Sequence, residues 1–342
     1  MRRTALLAFA VFLYAGSAHA QIVLPNAFDV ADLSLSLSPQ YPAPRESVRI
    51  TAYSTLLDLD AAEVVWYVDG AERARNTTSI TVQAGKLGSE TQIEIVASDG
   101  GASASAMAFV RPTEIDLLWE SDSYVPPFFR GRALPSAGTQ VRLQAIARLA
   151  RPDGSLVPSA DTIYTWKRND TVLKSVSGRG KARAVIDSPP LFGVDQISVE
   201  ARSTDGTLIA RKVLRLPSVE PILALYREHP LFGVLYHEAL GTQTNLAETQ
   251  TTFVAVPYFA DAAAAGESSL DYAWKVNGQQ IPVDPKLRNK ITIDASNSSG
   301  LARIDLDLSS FRNLFLSAAG LWGVSLRGGE AGTFNDPFGG SE

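Results

Sequence analysis

Beyond the first twenty residues the chain carries only two imidazoles, His229 and His237, in the stretch "HPLFGVLYHEAL". A histidine can act as a general base or metal ligand near neutral pH. These two stand eight positions apart, so they do not form the His-Glu-x-x-His pair that sets two ligands on one helical face. Glu238 adjoins His237, but neighbours on a strand point to opposite faces, so no acid–base couple is expected there. The 342 residues contain no cysteine, which excludes thiolate metal sites, cysteine nucleophiles and disulfides. No Gly-x-Ser-x-Gly elbow is present. "SGRGKAR" (177–183) superficially suggests a phosphate loop but lacks the Gly-x-x-x-x-Gly-Lys-(Ser/Thr) frame. Its Arg179, Lys181 and Arg183 read as a solvated sheet edge, where cations discourage pairing with other chains. "LLDLDAAE" (56–63) offers the oxygen ligands that Ca²⁺ prefers, without the spacing of a calcium loop. The remaining Asp and Glu residues single out no glycosidase pair. The residues therefore point to a non-enzymatic chain with no catalytic residue, cofactor or metal.

Aromatic side chains are the other residues whose spacing suggests work. Two stretches run in parallel, "DLLWESDSYVPPFFRGRAL" (116–134) and "LALYREHPLFGVLYHEAL" (223–240). Each has a strand-like start, an aromatic followed closely by an acid, a Pro, an aromatic, a Gly and then Ala-Leu. One reading is a first strand broken by Pro and Gly so that it changes sheets, since Pro lacks a ladder N–H and Gly permits a kink. The other is an interaction surface made of Trp119, Tyr124, Phe128 and Phe129, and of Tyr226, Phe232 and Tyr236 with His237 beside them. Aromatics and Arg are enriched at protein interfaces. Coplanar, exposed rings flanked by His237 and Glu238 would instead suit a sugar. Tyr226, Phe232 and Tyr236 are expected to be buried, because "LFGVLY" is too apolar to face water uncovered.

The elements that must position these residues are strands. "VVWYVDG", "YTWKRND" and "YAWKVNG" place Trp66, Trp166 and Trp274 about one hundred residues apart, each three positions before an Asp or Asn. A fixed period marks a repeat architecture. Strand-period alternation precedes each Trp in "SVRITAYS", "QVRLQAIARL" and "TTFVAVPYF". It follows in "TQIEIVAS" and "DQISVEAR", which lead into Asp99-Gly100 and Asp205-Gly206, and Asp-Gly between alternating runs signals a hairpin. In the third repeat "ARIDLDLSSFRNLFLSAAGLWGVSL" has no such pair, so an irregular connection is expected. "ADAAAAGESS" (260–269) reads as a loop with at most one helical turn. About seven short strands per hundred residues make the chain all-β, three tandem immunoglobulin-like β-sandwiches. Trp66, Trp166 and Trp274 are assigned to the structural core, filling the gap between sheets. The expected domains are 21–111, 112–217 and 218–328, with a Gly-rich disordered tail at 329–342.

The upstream "SP..P...SV.I.A" (Ser38, Pro39, Pro42, Ser47, Val48, Ile50, Ala52), the Trp-x-x-(Asp/Asn)-Gly core and the downstream Asp-Gly hairpin resemble bacterial Ig-like and PKD-type repeats. "IDLLWESDSYVPPFFRGRAL", "YTWKRNDTVL", "RSTDGTL", "HPLFGVLYHEAL" and "LDYAWKVNG" are similar to exported proteins of candidate-phylum (Parcubacteria-type) bacteria. The resemblance implies a sandwich fold and export, and carries no activity.

The formal charge of −5 and the 20% charged residues argue against a nucleic-acid partner, which calls for a basic face. "MRR", an apolar run and "AHA" before Gln21 form a cleavable signal peptide over 1–20. The run is shorter than the about 20 residues a bilayer requires, so no stable membrane span is expected after cleavage. The reading is an exported, extracytoplasmic scaffold or protein-interaction module of the bacterial envelope or surface, with an envelope protein as partner and an appendage or secretion assembly as one setting. A carbohydrate-binding surface protein, with a glycan as ligand, is the alternative. N-terminal sequencing of the exported protein is expected to begin at Gln21. Recovery of Met1 on the protein in the envelope fraction contradicts cleavage.

Overall fold

The computed structural model describes residues 33–99, 103–246, 250–296 and 300–326. The signal peptide, the tail, Gly100 and Asn297 to Ser299 lie outside the described residues. Among the described residues there are twenty-four strands, one 3₁₀ turn at Ser159–Asp161 and no α-helix. Among the described residues, no helix is long and apolar enough to cross a membrane. The architecture is all-β, built of immunoglobulin-like sheets that follow one another along the chain.

Two compact units result. One holds residues 33–37, 49–81 and 92–108; the other holds 38–48, 82–91 and everything from 109 onward. In the first, Trp66 is fully buried with Ile93 and Ile95 of the strand paired to its own, and Ile50 is buried as well. The Asp-rich 56–63 stretch is a turn: Asp58 Oδ1 accepts the Asp60 N–H at 3.1 Å.

The second unit contains two hydrophobic cores. The first lies between the sheet of Glu114–Ser121, Gln140–Arg148 and Arg183–Asp187 and the sheet centred on Ile163–Arg168 and Val194–Arg202. Val141, Leu143, Trp166, Ile197 and Val199 fill it. The second lies between the sheet of Ile222–His229, Gly233–Ala239, Gln250–Tyr258 and Lys290–Asp294 and the sheet centred on Leu270–Val276, Gly300–Ser310 and Ser317–Leu326. Leu225, Phe253, Trp274, Ile304 and Val324 fill that one.

The Trp-x-x-(Asp/Asn) spacing has one structural meaning in all three places. Trp66, Trp166 and Trp274 have no exposed surface. Each indole N–H finds a carbonyl: Thr77 at 2.7 Å, Lys181 at 2.9 Å and Arg288 at 3.0 Å. Three residues on, Asp69, Asn169 and Asn277 take φ of 50°, 48° and 50°, and the next residues, Gly70, Asp170 and Gly278, are also left-handed. Two successive positive φ values make the hairpin turn whose twist matches its strands. The Asx side chain then reaches the opposite strand. Asp69 Oδ1, Asn169 Oδ1 and Asn277 Oδ1 accept the N–H of Gln92, Gln196 and Arg303, each at 2.8 Å.

The third core departs from the Asp-Gly pattern as its sequence suggests. Ser203 N–H bonds the Leu208 carbonyl and closes the second hairpin around Gly206. The corresponding 311–316 connection instead leaves its ladder, with Phe311 N–H bonded to Ser269. The 260–269 stretch holds turns and no helix.

The sheet change expected at Pro230 and Gly233 is elsewhere. His229 pairs with Gly233 across Pro230, Leu231 and Phe232, so that break is a hairpin, and Gly233 adopts φ of 70° to close it. The change of sheet occurs at 240–242. Leu240 N–H still bonds Leu225 in one sheet, while Gln243–Leu246 pairs parallel with the last strand of the other. Gly241, without a side chain, permits the crossing.

Trp274→Ala is expected to lower unfolding free energy by about 3–5 kcal/mol, as large-to-small core changes do. Urea denaturation measures it. A midpoint equal to the parent's contradicts a packing role for this ring.

Candidate interaction site at an aromatic joint

Residues 122–139 join Glu114–Ser121 to Gln140–Arg148 without regular structure. Most such connections run about 4–6 residues. This one is held by its own side chains. Gln140 N–H donates to Asp122 Oδ1 at 2.7 Å, Ser123 Oγ donates to the Leu134 carbonyl at 2.7 Å, and Thr139 Oγ1 donates to the Ser136 carbonyl at 2.8 Å. Four of its hydrogen bonds reach the next sandwich. Tyr124 N–H donates to the Ala260 carbonyl at 2.8 Å and Phe259 N–H donates back to the Tyr124 carbonyl at 2.7 Å. Ser136 Oγ donates to the Phe259 carbonyl at 2.6 Å, and Asn313 Nδ2 donates to the Ala137 carbonyl at 2.7 Å. Ser136 and Asn313 are both buried. Gly138 lies against Asn313 at φ of 97°, and a Cβ there would overlap the amide.

Burial explains why the loop is drawn there. On Gln250–Tyr258, Phe253 and Ala255 face the sandwich core, while Val254 and Val256 alternate onto the outer face, outside that core. Both outer valines are nonetheless buried. A strand buried on both faces reads as a continuous apolar run, as "FVAVPYF" does. The cover over this outer face is aromatic. Tyr226 packs on Tyr236 with ring centroids 5.5 Å apart, and its hydroxyl meets that of Tyr258 at 2.6 Å. Phe129, from the 122–139 segment, meets Tyr258 and Phe259 edge to face at 5.6 and 6.0 Å. Tyr236 reaches its place because Tyr226 pairs with Ala239 and Glu228 with Val234, so 235–238 bulge opposite a single residue.

A groove of 540 Å³ remains between the two segments. Pro126, Phe128, Phe129 and Arg130 line one side, and Tyr236 and His237 the other, with Tyr258 beneath. Phe128 stands 91% exposed at φ of 65°. Among the described residues, the Arg130 guanidinium, the His237 ring and the Tyr236 hydroxyl have no hydrogen-bond partner. The neighbouring acids are engaged elsewhere: Glu238 with Arg227 at 2.7 Å and Glu228 with Lys290 at 2.6 Å. Burial pushes the Tyr124 phenol up to about 12, aided by Tyr236 and Tyr258 nearby, and burial likewise raises Tyr236. The phenols therefore stay protonated and can donate. A larger cleft of 800 Å³ lies over the outer face of the last sheet. Its charges pair among themselves, Lys275 with Asp307 at 3.2 Å and Arg303 with Asp305 at 2.8 Å.

The candidate residues thus divide. Tyr124, Phe128, Phe129, Tyr226, Tyr236 and His237 come together at this joint. Tyr226 is buried against Tyr236 and does not line the groove, so it offers no free surface. Phe232 was expected to pack away and is instead 76% exposed at the hairpin tip, stacked on His229 at 4.6 Å. The tight turn at Pro230 points it away from the sheet. Trp119 lies apart, half-buried against the second sandwich's core with the Arg132 guanidinium 4.5 Å from its ring centroid. Sequence reasoning missed Ser136, Tyr258, Phe259, Asn313 and Arg130. The unbroken apolar run at 253–259 and the length of 122–139 were the available signals. Arg179 does not form an anion loop, since it pairs with Asp161 at 2.5 Å.

No family model matches the chain, and no curated protein matches it. Solved structures similar to it include the central fibronectin-III array of RIM-binding protein, with 13% identity over 85% of this chain and 96% of that one, TM-score 0.28. The I-band fragment I67–I69 of titin has 14% identity over 86% and 98%, TM-score 0.22. The Bacteroides ovatus SGBP-B protein, solved with a mixed-linkage heptasaccharide, has 11% identity over 87% and 70%, TM-score 0.24. At this level of overlap none of their roles is read across.

Asp261 ties the joint to pH. Burial raises its carboxyl above the ordinary value; the Asn313 bond, at 3.2 Å, and Arg312 oppose the shift, while Asp122 and Glu267 add to it. A raised folded-state value means that folding favours the protonated form. The contribution is full below the ordinary aspartate value of 3.8 and is lost as pH rises through the raised value. Asp261→Asn is therefore expected to raise the Tm at about pH 7 and to leave it unchanged at about pH 3.5. Thermal unfolding across that range decides it, and an advantage that does not vary with pH contradicts the assignment.

Proposed function

We propose that this chain is a non-enzymatic interaction module, exported to the bacterial envelope or surface, that holds a partner protein at the aromatic joint. The observation that carries the reading is the buried hydrogen-bonded contact of Ser136 and Asn313 with the adjoining sandwich. It fixes two sandwiches so that both line one groove, with exposed aromatic and cationic groups left unpaired on its walls. Fixed geometry lowers the ordering cost of association. The domain limits 21–111, 112–217 and 218–328 belong to the same proposal, as does removal of residues 1–20. Among the described residues, no group of three or more His, Cys, Asp or Glu is placed to hold a metal.

Carbohydrate binding is the second reading, favoured by exposed Phe128 beside His237. Weighing against it, Tyr226 and Tyr236 are tilted by 60° and do not form the coplanar platform that a sugar stacks on.

Affinity capture from envelope extract is expected to recover one protein in reciprocal experiments, retained by the parent chain and lost with Phe128→Ala and Tyr236→Ala. Retention by both variants contradicts the proposed surface. A glycan-array signal lost in the same variants, without a protein partner, transfers the function to the second reading.

A further inference from the structure

The groove's unpaired polar groups differ in kind from those of a general adhesive surface. Arg130 is its one formally charged lining side chain, and it is cationic. Arg130 only donates, while the Tyr236 hydroxyl and a neutral His237 ring can each donate and accept. No carboxylate or side-chain amide faces them from the lining. A backbone extended as polyproline II has no internal hydrogen bonds and presents every carbonyl. Its proline residues supply no N–H at all. Such a ligand offers acceptors and apolar rings, which is what donor groups set between Pro126, Phe128 and Phe129 can take up. Aromatic-lined grooves recognise proline-rich segments in this way because little conformational entropy is lost on binding.

Building on the protein-partner reading, we propose that the groove binds an extended, proline-rich peptide segment bearing an acidic side chain. The acid pairs with the Arg130 guanidinium. The peptide carbonyls accept from Tyr236 and His237, and the proline rings lie against Phe128 and Phe129. The neighbouring acids Glu228 and Glu238 are already paired with Lys290 and Arg227, so they do not compete for Arg130.

A display library of random twelve-residue peptides selected on the full chain tests this. Selected sequences are expected to carry at least two prolines and an Asp or Glu. Their affinity is expected to fall about tenfold or more with Arg130→Glu, the usual worth of a charge-assisted hydrogen bond. An acid-to-Lys exchange in the peptide should restore binding to that variant. Arg130 is exposed, so its substitution leaves folding intact; Tyr236→Ala is checked by circular dichroism and read only if folded. Selection of sequences without proline and acid, or no selection at all, overturns the inference. So does binding indifferent to Arg130→Glu. A partner still captured through Phe128 and Tyr236 in those cases leaves the interaction module standing and removes only the peptide assignment.

Discussion

Everything in this chain rests on burying an indole whose N–H must still be bonded. A Trp ring spanning two sheets contributes more apolar area than any aliphatic residue, but it brings a donor into the core. In each sandwich a carbonyl on the segment that follows the hairpin, or a little beyond it, accepts that donor. The hairpin must therefore return the chain to the same place each time. The Asx residue three positions later secures this by entering the left-handed region and bonding the N–H of the opposite strand. Core filling and turn chemistry are two halves of one constraint. Its repetition at Trp66, Trp166 and Trp274 explains why chemically dissimilar stretches between them form similar sheets.

The joint obeys the same accounting of polar groups with different means. An irregular segment between two strands of one sheet carries backbone donors and acceptors that no ladder satisfies. In 122–139 serine and threonine hydroxyls satisfy some of them, and Tyr124, Ser136 and Ala137 bond with Phe259, Ala260 and Asn313 of the next sandwich. The apolar outer face of Gln250–Tyr258 gives the segment a reason to stay. Without that cover, Val254 and Val256 would face water beside an already filled core. The contact thus combines hydrophobic burial with hydrogen bonds that only one relative placement completes.

What is left unsatisfied at the rim gives the groove its character. Arg130, His237 and Tyr236 donate into a space walled by Pro126 and Phe128, while Glu228 and Glu238 are spent on Lys290 and Arg227. The bulge at 235–238 is central to this. An uninterrupted ladder would alternate Tyr236 and His237 onto opposite faces, and the bulge lets both line the same groove.

The sequence alone determined what depends on local spacing. Alternation fixed the strands, the Trp-x-x-Asx interval fixed the cores and hairpins, and the missing Asp-Gly pair announced the irregular loop at 311–316. It also identified both aromatic stretches. It misread Pro230 and Gly233 as a sheet change because Pro and Gly permit either a kink or a turn. The choice fell to the pairing of His229 with Gly233, a contact between strands. That the two aromatic stretches meet, that Tyr226 is buried while Phe232 stays in water, and that Asn313 bonds Ala137 were decided by tertiary structure. The meeting of the two stretches and the Asn313 bond join residues more than a hundred positions apart. They depend on which outer face remains uncovered once both cores are full, a quantity that no local period in the chain encodes.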